Sequence, residues 1–255
     1  MLDDVLGRSS PAVFLDYDGV LAEIVNDPAA AVLSPGRRAA VARLSARCRV
    51  AVVSGRDLGD VRELVGLDDV VYAGSHGFDL DLGTASGAAA PDLGAEAYLP
   101  ELDDAERALA RVLGPVPGAR VERKRFAVAV HLRQVAEVDR GRVEGVVDAV
   151  AARHPRLRRT SGKQVRELRP DLDWDKGRAV LWLLGALGVD RDDVVPLYLG
   201  DDETDEDAFR ALAGRRGLGI LVGAHGARTA ARYGLRDPDE VQVFLTVLAD
   251  RLDPR

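Results

Sequence analysis

Ala12-Val13-Phe14-Leu15-Asp16-Tyr17-Asp18-Gly19 is the stretch on which the fold turns. Its four leading residues form an unbroken apolar run, which suits a parallel strand buried on both faces better than a strand with one wet side. Outward from it, the pattern of a strand followed by a helix recurs. Ser34-Pro35 supplies an N-cap and a first-turn proline for a helix running towards Ala46. Residues 50–53 read as a second buried strand, 57–65 as a second helix ended by Gly66, and 70–73 as a third strand. Far along the chain, Val180, Leu183, Leu184 and Leu187 share one helical face before Gly188, and residues 195–199 and 219–222 read as strands. Asp237-Pro238 opens a last helix with Val241, Phe244, Leu245 and Leu248 on its apolar stripe. This alternation predicts an α/β fold built on a doubly wound parallel sheet.

The rhythm breaks in the middle. Residues 83–97 are rich in Gly, Ala, Ser and Pro, a loop or hinge composition. They precede a helix expected over 102–113, a long strand over 121–133, a second helix over 139–153 and a strand over 164–168. The expected organisation is a core domain made of residues 1–78 and 171–255, carrying an inserted α+β cap domain over 79–170. Hinges near 83–94 and at Pro170 would let the insert move as a lid.

Composition narrows the partners. The 255 residues, 47% of them hydrophobic, suffice for one large or two modest cores. With 35 basic against 42 acidic residues and a net charge of −7, no global basic field exists to hold nucleic acid or an anionic membrane, so any phosphate must be held locally. Cys48 is the single cysteine and has no disulfide partner, which fits a reducing compartment. The opening Met1-Leu2-Asp3-Asp4-Val5 lacks the charged and apolar regions of a secretory signal, and no apolar stretch approaches the ~20 residues that span a bilayer. A cytoplasmic monomer acting on a small molecule is expected.

Four polar signatures gather where the inferred sheet ends. Asp16-Tyr17-Asp18-Gly19, Ser54-Gly55-Arg56 and Gly200-Asp201-Asp202-Glu203-Thr204-Asp205 each follow a buried strand, and Asp175-Lys176-Gly177 opens a helix nearby. Ligands of open α/β sheets bind outside the carboxyl ends of the strands, so the four can converge on one crevice. Asp16, Asp18, Asp201, Asp202 and Asp205 placed together would repel, at about 4 kcal/mol for unit charges ~4 Å apart in an effective dielectric of 20. A cation has to offset them. Oxygen ligands without a His or Cys cluster suit a hard ion, and magnesium is the one that also bridges substrate phosphate. Phosphate-ester hydrolysis is then the natural chemistry: Asp16 as nucleophile, Asp18 as acid and base, and Lys176 with the Ser54 hydroxyl holding the phosphoryl oxygens. Taken singly, each signature has a plainer meaning. Asp-x-Asp occurs in calcium loops and solvated turns, Ser54 could cap a helix, the Asp201 to Asp205 run could be an acidic first turn, and Lys176 could be a surface lysine. All four together, in this order, point to one catalytic crevice.

These residues resemble the haloacid dehalogenase superfamily of phosphohydrolases, whose pattern of Asp-x-Asp, Ser or Thr, Lys and Gly-Asp-Asp-x-x-Asp is met between residues 14 and 205. The resemblance implies that Asp18 also offers a metal its backbone carbonyl and that Asp201 is the second metal carboxylate, with Asp202 or Asp205 in support. A narrower resemblance, to the trehalose-6-phosphate phosphatases, rests on residues 15–24 with Pro28, on Gly74-Ser75-His76-Gly77, and on Lys124 ahead of Ala129-Val130-His131-Leu132-Arg133. It rests further on Gly162-Lys163 before Glu167-Leu168-Arg169-Pro170, on residues 200–207, and on the ending from Val222-Gly223 to Leu245. It implies a mobile cap closing over a disaccharide phosphate, with Lys124 and Glu167 gripping phosphate and sugar hydroxyls and Arg133 and Lys163 as further contacts. Arg56 and His76 join the substrate-binding set, although His76 could equally be a turn histidine. Val20, where the family often carries Thr, leaves the mechanism intact. Leu132 in place of an aromatic and Arg125 in place of a small residue alter the sugar contacts.

Other readings stay open at this stage. A phosphatase of the same superfamily acting on sucrose phosphate or phosphomannose would share every core motif. A receiver domain also joins an acidic cluster to a phosphorylated Asp and a Lys, though in a much shorter chain, and a sugar-phosphate sensor would not need both Asp16 and Asp18.

Overall fold

The protein is described from a computed structural model that covers residues 7, 9–25, 30–84, 86–162, 164–224 and 228–253. It divides into two compact units, one of Met1–Ala90 with Trp174–Arg255 and one of Pro91–Asp173.

In the first unit the chain runs through β1 (Ser10–Leu15), α1 (Pro35–Ser45), β2 (Arg49–Val53), α2 (Leu58–Val65), β3 (Val71–Gly74) and β4 (Asp79–Asp81). The capping chemistry acts as its residue types require: Ser34 Oγ accepts from the Arg37 N–H, Pro35 follows, and Gly66 ends α2 at φ 61°. Two short strands, β4 and β11 (Tyr233–Leu235), escape the sequence pattern because three residues show no period.

The second unit supplies α3 (Leu99–Leu113), β5 (Arg120–Lys124), β6 (Ala127–His131), α4 (Glu137–Ala151), β7 (Leu157–Gly162) and β8 (Val165–Pro170). Its antiparallel sheet has the order β5-β6-β8-β7. One face is dry: Val128, Val130 and Leu168 of the sheet pack with Leu102 and Leu109 of α3 and Val143 and Val147 of α4. The segment 121–133, expected as one long strand, is a hairpin, since Lys124 pairs with Ala127 and the chain turns at Arg125-Phe126. The β7 strand was not expected at all; Leu157 is its buried apolar residue and the rest is polar, so alternation carried no signal.

Back in the first unit, the chain continues through α5 (Lys176–Ala186), β9 (Val194–Gly200), α6 (Glu206–Ala213), β10 (Leu218–Val222), β11 (Tyr233–Leu235) and α7 (Pro238–Leu252). The seven-stranded sheet has the order β11-β10-β9-β1-β2-β3-β4 and is parallel except for β4, which runs against β3. That pairing ties residues 79–81 to this sheet, so the second compact unit begins at Pro91, beyond the composition-based start at 79.

Both faces of the large sheet are dry. Val13 and Leu15 point with Val52 and Leu199 into a core closed by Val41 and Leu44 of α1, Val61 of α2 and Leu245 and Leu248 of α7. Phe14 and Tyr198 point the other way, with Val53, onto Leu183 and Leu184 of α5 and Phe209 and Leu212 of α6. The doubly wound α/β core expected from the unbroken apolar strands is therefore the observed one, because a strand covered on both sides has no wet face to alternate with. Its central strand is β1, flanked by β9 and β2.

Candidate active site

Because β1 lies between β9 and β2, the turns leaving all three open side by side at the carboxyl end of the sheet. Asp16 is the first residue past β1. Its N–H donates to the Leu199 carbonyl at 2.9 Å, which stitches the turn to β9, and its Oδ1 accepts the Tyr17 N–H at 2.7 Å. Its Oδ2 accepts from Lys176 Nζ at 2.8 Å. Lys176, the first residue of α5, is 2% exposed and gives a second hydrogen bond to Asp205 Oδ1 at 2.7 Å. The ammonium thus bridges two buried carboxylates.

Asp205 is saturated. Oδ1 accepts from Lys176 and from the Tyr198 hydroxyl, each at 2.7 Å, while Oδ2 accepts the N–H groups of Asp201 at 2.9 Å and Asp202 at 3.0 Å. Four donors on one carboxylate fold the acidic turn around it. Asp202 points elsewhere, capping the short 3₁₀ turn Glu203–Asp205 through an Oδ1 that accepts the Glu203 N–H at 2.7 Å.

Among the described residues, Asp16, Asp201 and Asp205 form one group in which one carboxylate oxygen from each lies within 4.8 Å of the other two. Gly19 makes room for it: at φ 77° its backbone passes so close to Asp201 that a Cβ would stand 2.3 Å from that carboxylate. Three carboxylates against one ammonium leave excess negative charge, and every donor is oxygen, so the cluster fits a hard divalent cation. With Asp205 occupied by four donors, Asp16 and Asp201 are the carboxylates left to take one.

Charge and burial oppose each other here. Burial pushes the Asp16 carboxyl well above its usual range; Lys176 draws it back, but Asp205 and Asp201 add to the rise. Burial would also raise Asp205, yet the Lys176 ammonium and the hydrogen bonds from Lys176 and Tyr198 hold it below the ordinary value. Burial alone would lower Lys176, and the two carboxylates outweigh it and keep the ammonium charged. Asp205 is therefore the fixed anion of the pair, and Asp16 is the group whose ionisation depends on added positive charge.

Ser54 follows β2 directly and is fully buried, its Oγ accepting the Arg56 N–H at 3.1 Å, which leaves the hydroxyl hydrogen to donate. Arg56 reaches across to Asp18, with Nε 2.7 Å from Oδ2 and Nη2 2.6 Å from Oδ1, and its guanidinium lies 5.2 Å from the centre of the Tyr17 ring. Ser75 and His76 follow β3 with φ of 49° and 58°, a left-handed pair in side chains that disfavour it. The pair is held by its neighbours: the Ser75 N–H donates to the Arg56 carbonyl at 2.6 Å, the His76 N–H to the Ser54 carbonyl at 2.8 Å, and Ser75 Oγ to Asp57 at 2.9 Å. His76 is buried as part of this clamp on the Ser54 to Arg56 turn.

In the second unit, Lys124 of β5 and Glu167 of β8 meet across β6, Nζ to Oε1 at 2.7 Å, on the sheet face away from α3 and α4. Glu167 is 5% exposed. Arg133 stands beyond the end of β6, half-buried and outside that pair. Lys163 lies outside the described residues, as does Pro28. Sequence reasoning missed Tyr198, whose strand reads as plain apolar filler; the signal lay in a phenol one residue before Leu199-Gly200-Asp201, a polar handle on a fully buried strand.

The family model described as trehalose-phosphatase matches residues 14–239. The trehalose-phosphate phosphatase of Mycobacterium tuberculosis (strain H37Rv) is 48% identical over 256 aligned residues, covering 98% of this chain and 64% of its own length. The chain thus spans somewhat less than two thirds of that relative. Among solved structures, one described as a trehalose-6-phosphate phosphatase related protein superposes with a TM-score of 0.80 at 26% identity, over 95% of this chain and 98% of that one. The C-terminal domain of trehalose-6-phosphate phosphatase from C. albicans superposes with a TM-score of 0.79 at 25% identity, over 98% and 95%.

Proposed function

The chain belongs to the trehalose-phosphatase family, and from that premise we propose that it hydrolyses trehalose 6-phosphate to trehalose and phosphate, with magnesium, through an aspartyl phosphate on Asp16. The observation that carries this reading is the Lys176 ammonium held between Asp16 and Asp205 at the mouth of the sheet. A lone lysine there would be solvated. Buried between two carboxylates, it is aimed.

Each residue then has a step. Lys176 and the Ser54 hydroxyl donate to the non-bridging oxygens of the phosphoryl group, the positioning that phosphoryl transfer mainly demands. An Asp16 carboxylate oxygen attacks phosphorus; the new P–O bond forms as the bond to the sugar oxygen breaks, and Asp18 gives that oxygen its proton. Asp18, now ionised, takes a proton from water as the water oxygen attacks phosphorus, which releases phosphate and restores Asp16. The Asp16 and Asp201 carboxylates and the Asp18 backbone carbonyl would hold the magnesium, which when bound would supply positive charge to keep Asp16 ionised and to offset the phosphoryl charge. In the second unit, Lys124 meets phosphate as a point charge and Glu167 accepts sugar hydroxyls, with Arg133 and Lys163 as further contacts.

Cys48, the single cysteine, has no second cysteine with which to form a disulfide, which suits a reducing compartment such as the cytoplasm for this activity, and no helix among the described residues is long and apolar enough to cross a membrane. The test is a panel of sugar phosphates assayed for released phosphate, first with magnesium and then with chelator. Trehalose 6-phosphate should lead the panel and chelator should stop the release. Comparable turnover of several hexose phosphates would sink the trehalose assignment, and turnover indifferent to chelator would sink the metal.

A further inference from the structure

We propose that Tyr198 is a positioning residue: through Asp205, its hydroxyl sets where the Lys176 ammonium stands against Asp16. This rests on the phosphatase reading for its kinetic consequence, though not for its geometry.

Tyr198 sits in β9 with its ring packed edge-on against Phe209, centroids 5.8 Å apart, and its side chain is fully buried. Satisfaction of a buried phenol is the plain reading of its hydrogen bond. The partner says more. Tyr198 donates to Asp205 Oδ1, the same atom that receives Lys176 Nζ, at the same distance of 2.7 Å. A carboxylate oxygen offers about two lone-pair sites, so phenol and ammonium together fill it. The other oxygen is filled by the N–H groups of Asp201 and Asp202. Asp205 can neither rotate nor slide. Lys176 has three donors; one goes to Asp205, one to Asp16 Oδ2 at 2.8 Å, and the third remains for a phosphoryl oxygen.

Removing the phenol hydroxyl opens one site on Asp205 Oδ1. The carboxylate then turns towards the nearest remaining cation, which is Lys176, and draws the ammonium away from Asp16. Binding of a substrate gripped mainly elsewhere should hardly notice. The chemical step, which needs Lys176 on the phosphoryl group in the transition state, should slow.

The test is Tyr198→Phe in the full chain, which keeps the ring and its packing on Phe209. With magnesium and trehalose 6-phosphate, kcat should fall roughly tenfold while KM stays within about twofold of wild type. Independently of turnover, the nitrogen-resolved NMR signal of the Lys176 ammonium should move. The chain has three lysines, Lys124, Lys163 and Lys176, and loss of one signal in Lys176→Arg assigns it. Wild-type kcat, a loss carried by KM, or an ammonium signal that stays in place overturns the proposal. Should wild type hydrolyse no phosphate monoester, the phosphatase reading falls by itself, and the ammonium signal still decides whether Tyr198 positions Lys176.

Discussion

Arg56 holds Asp18 with a two-pronged grip, Nε on Oδ2 at 2.7 Å and Nη2 on Oδ1 at 2.6 Å. The grip orients the carboxylate proposed to move the proton, and it engages both of its oxygens. Each oxygen accepts one N–H and keeps a second lone-pair site, through which Asp18 can give and take a proton while the fork holds its plane. The planar fork fixes the carboxylate plane in a way no ammonium can.

Arg56→Lys should therefore lower kcat on the sugar phosphate by roughly tenfold, since lysine keeps the charge but cannot fix the carboxylate plane. Steady-state kinetics with saturating magnesium read it. Unchanged turnover would show that the fork has no part in placing Asp18.

Gly19→Ala should impair the metal site before anything else. The added methyl would overlap the Asp201 carboxylate, and φ at 77° adds about 1–2 kcal/mol of backbone strain. Activity titrated against magnesium should show a half-saturation shifted upward by at least about tenfold. A wild-type magnesium curve would mean that Asp201 does not hold the ion.

Asp205→Ala should be the most destabilising change at the site. It strips Lys176, Tyr198 and two backbone N–H groups of their acceptor at once. Breaking a buried ion pair costs about 3 kcal/mol or more, which lowers Tm by roughly 10 °C in a chain of this size. Thermal unfolding followed by circular dichroism checks this, and a shift of a degree or two would contradict the anchoring role.

Glu167→Gln should act on the substrate side. It weakens the hold on Lys124 and the acceptor offered to sugar hydroxyls, so KM for trehalose 6-phosphate should rise by about tenfold with kcat less affected. A loss confined to kcat would move Glu167 out of the binding role.

Burial pushes the Cys48 thiol up to about 12. At pH 8 its thiolate fraction lies on the order of 1000-fold below that of a free cysteine near 8.5, and it rises only as pH climbs towards 12. Alkylation by iodoacetamide at pH 8 should be correspondingly slow in the native protein and fast in urea; rapid native labelling would place Cys48 at an open surface.

The large sheet was legible because its strands are buried on both faces and therefore apolar without interruption, as at Ala12 to Leu15 and Val195 to Leu199. The inserted unit was less so. Its strands carry charge on the face away from α3 and α4, with Glu122, Lys124, Glu167 and Arg169 interleaved among apolar residues, and a hairpin turning at Arg125-Phe126 offers no Gly or Asn to mark the turn. The acidic turns were legible from their spacing, and the structure brings Asp16, Lys176 and Asp205 together. What spacing could not reveal is how Asp205 is used. A carboxylate in an Asp-rich run looks like a metal ligand, yet this one spends four acceptor sites on the protein itself. Tyr198 and the left-handed Ser75-His76 clamp were hidden for the same reason: their roles lie in partners distant in sequence.

The pairing of β1 with β9 joins Ser10 to Val194, and that register constrains the order in which the chain can fold. The inserted unit closes its own sheet and core from segments that end at Pro170, so it can be complete while the first strand still waits for its neighbour. During synthesis Asp16 is made first and meets Lys176 and Asp205 last, once β9 has docked. A ribosome-bound chain halted before Val194 should carry a folded insert and an open sheet edge, and the acidic cluster should assemble only when the final quarter of the protein arrives.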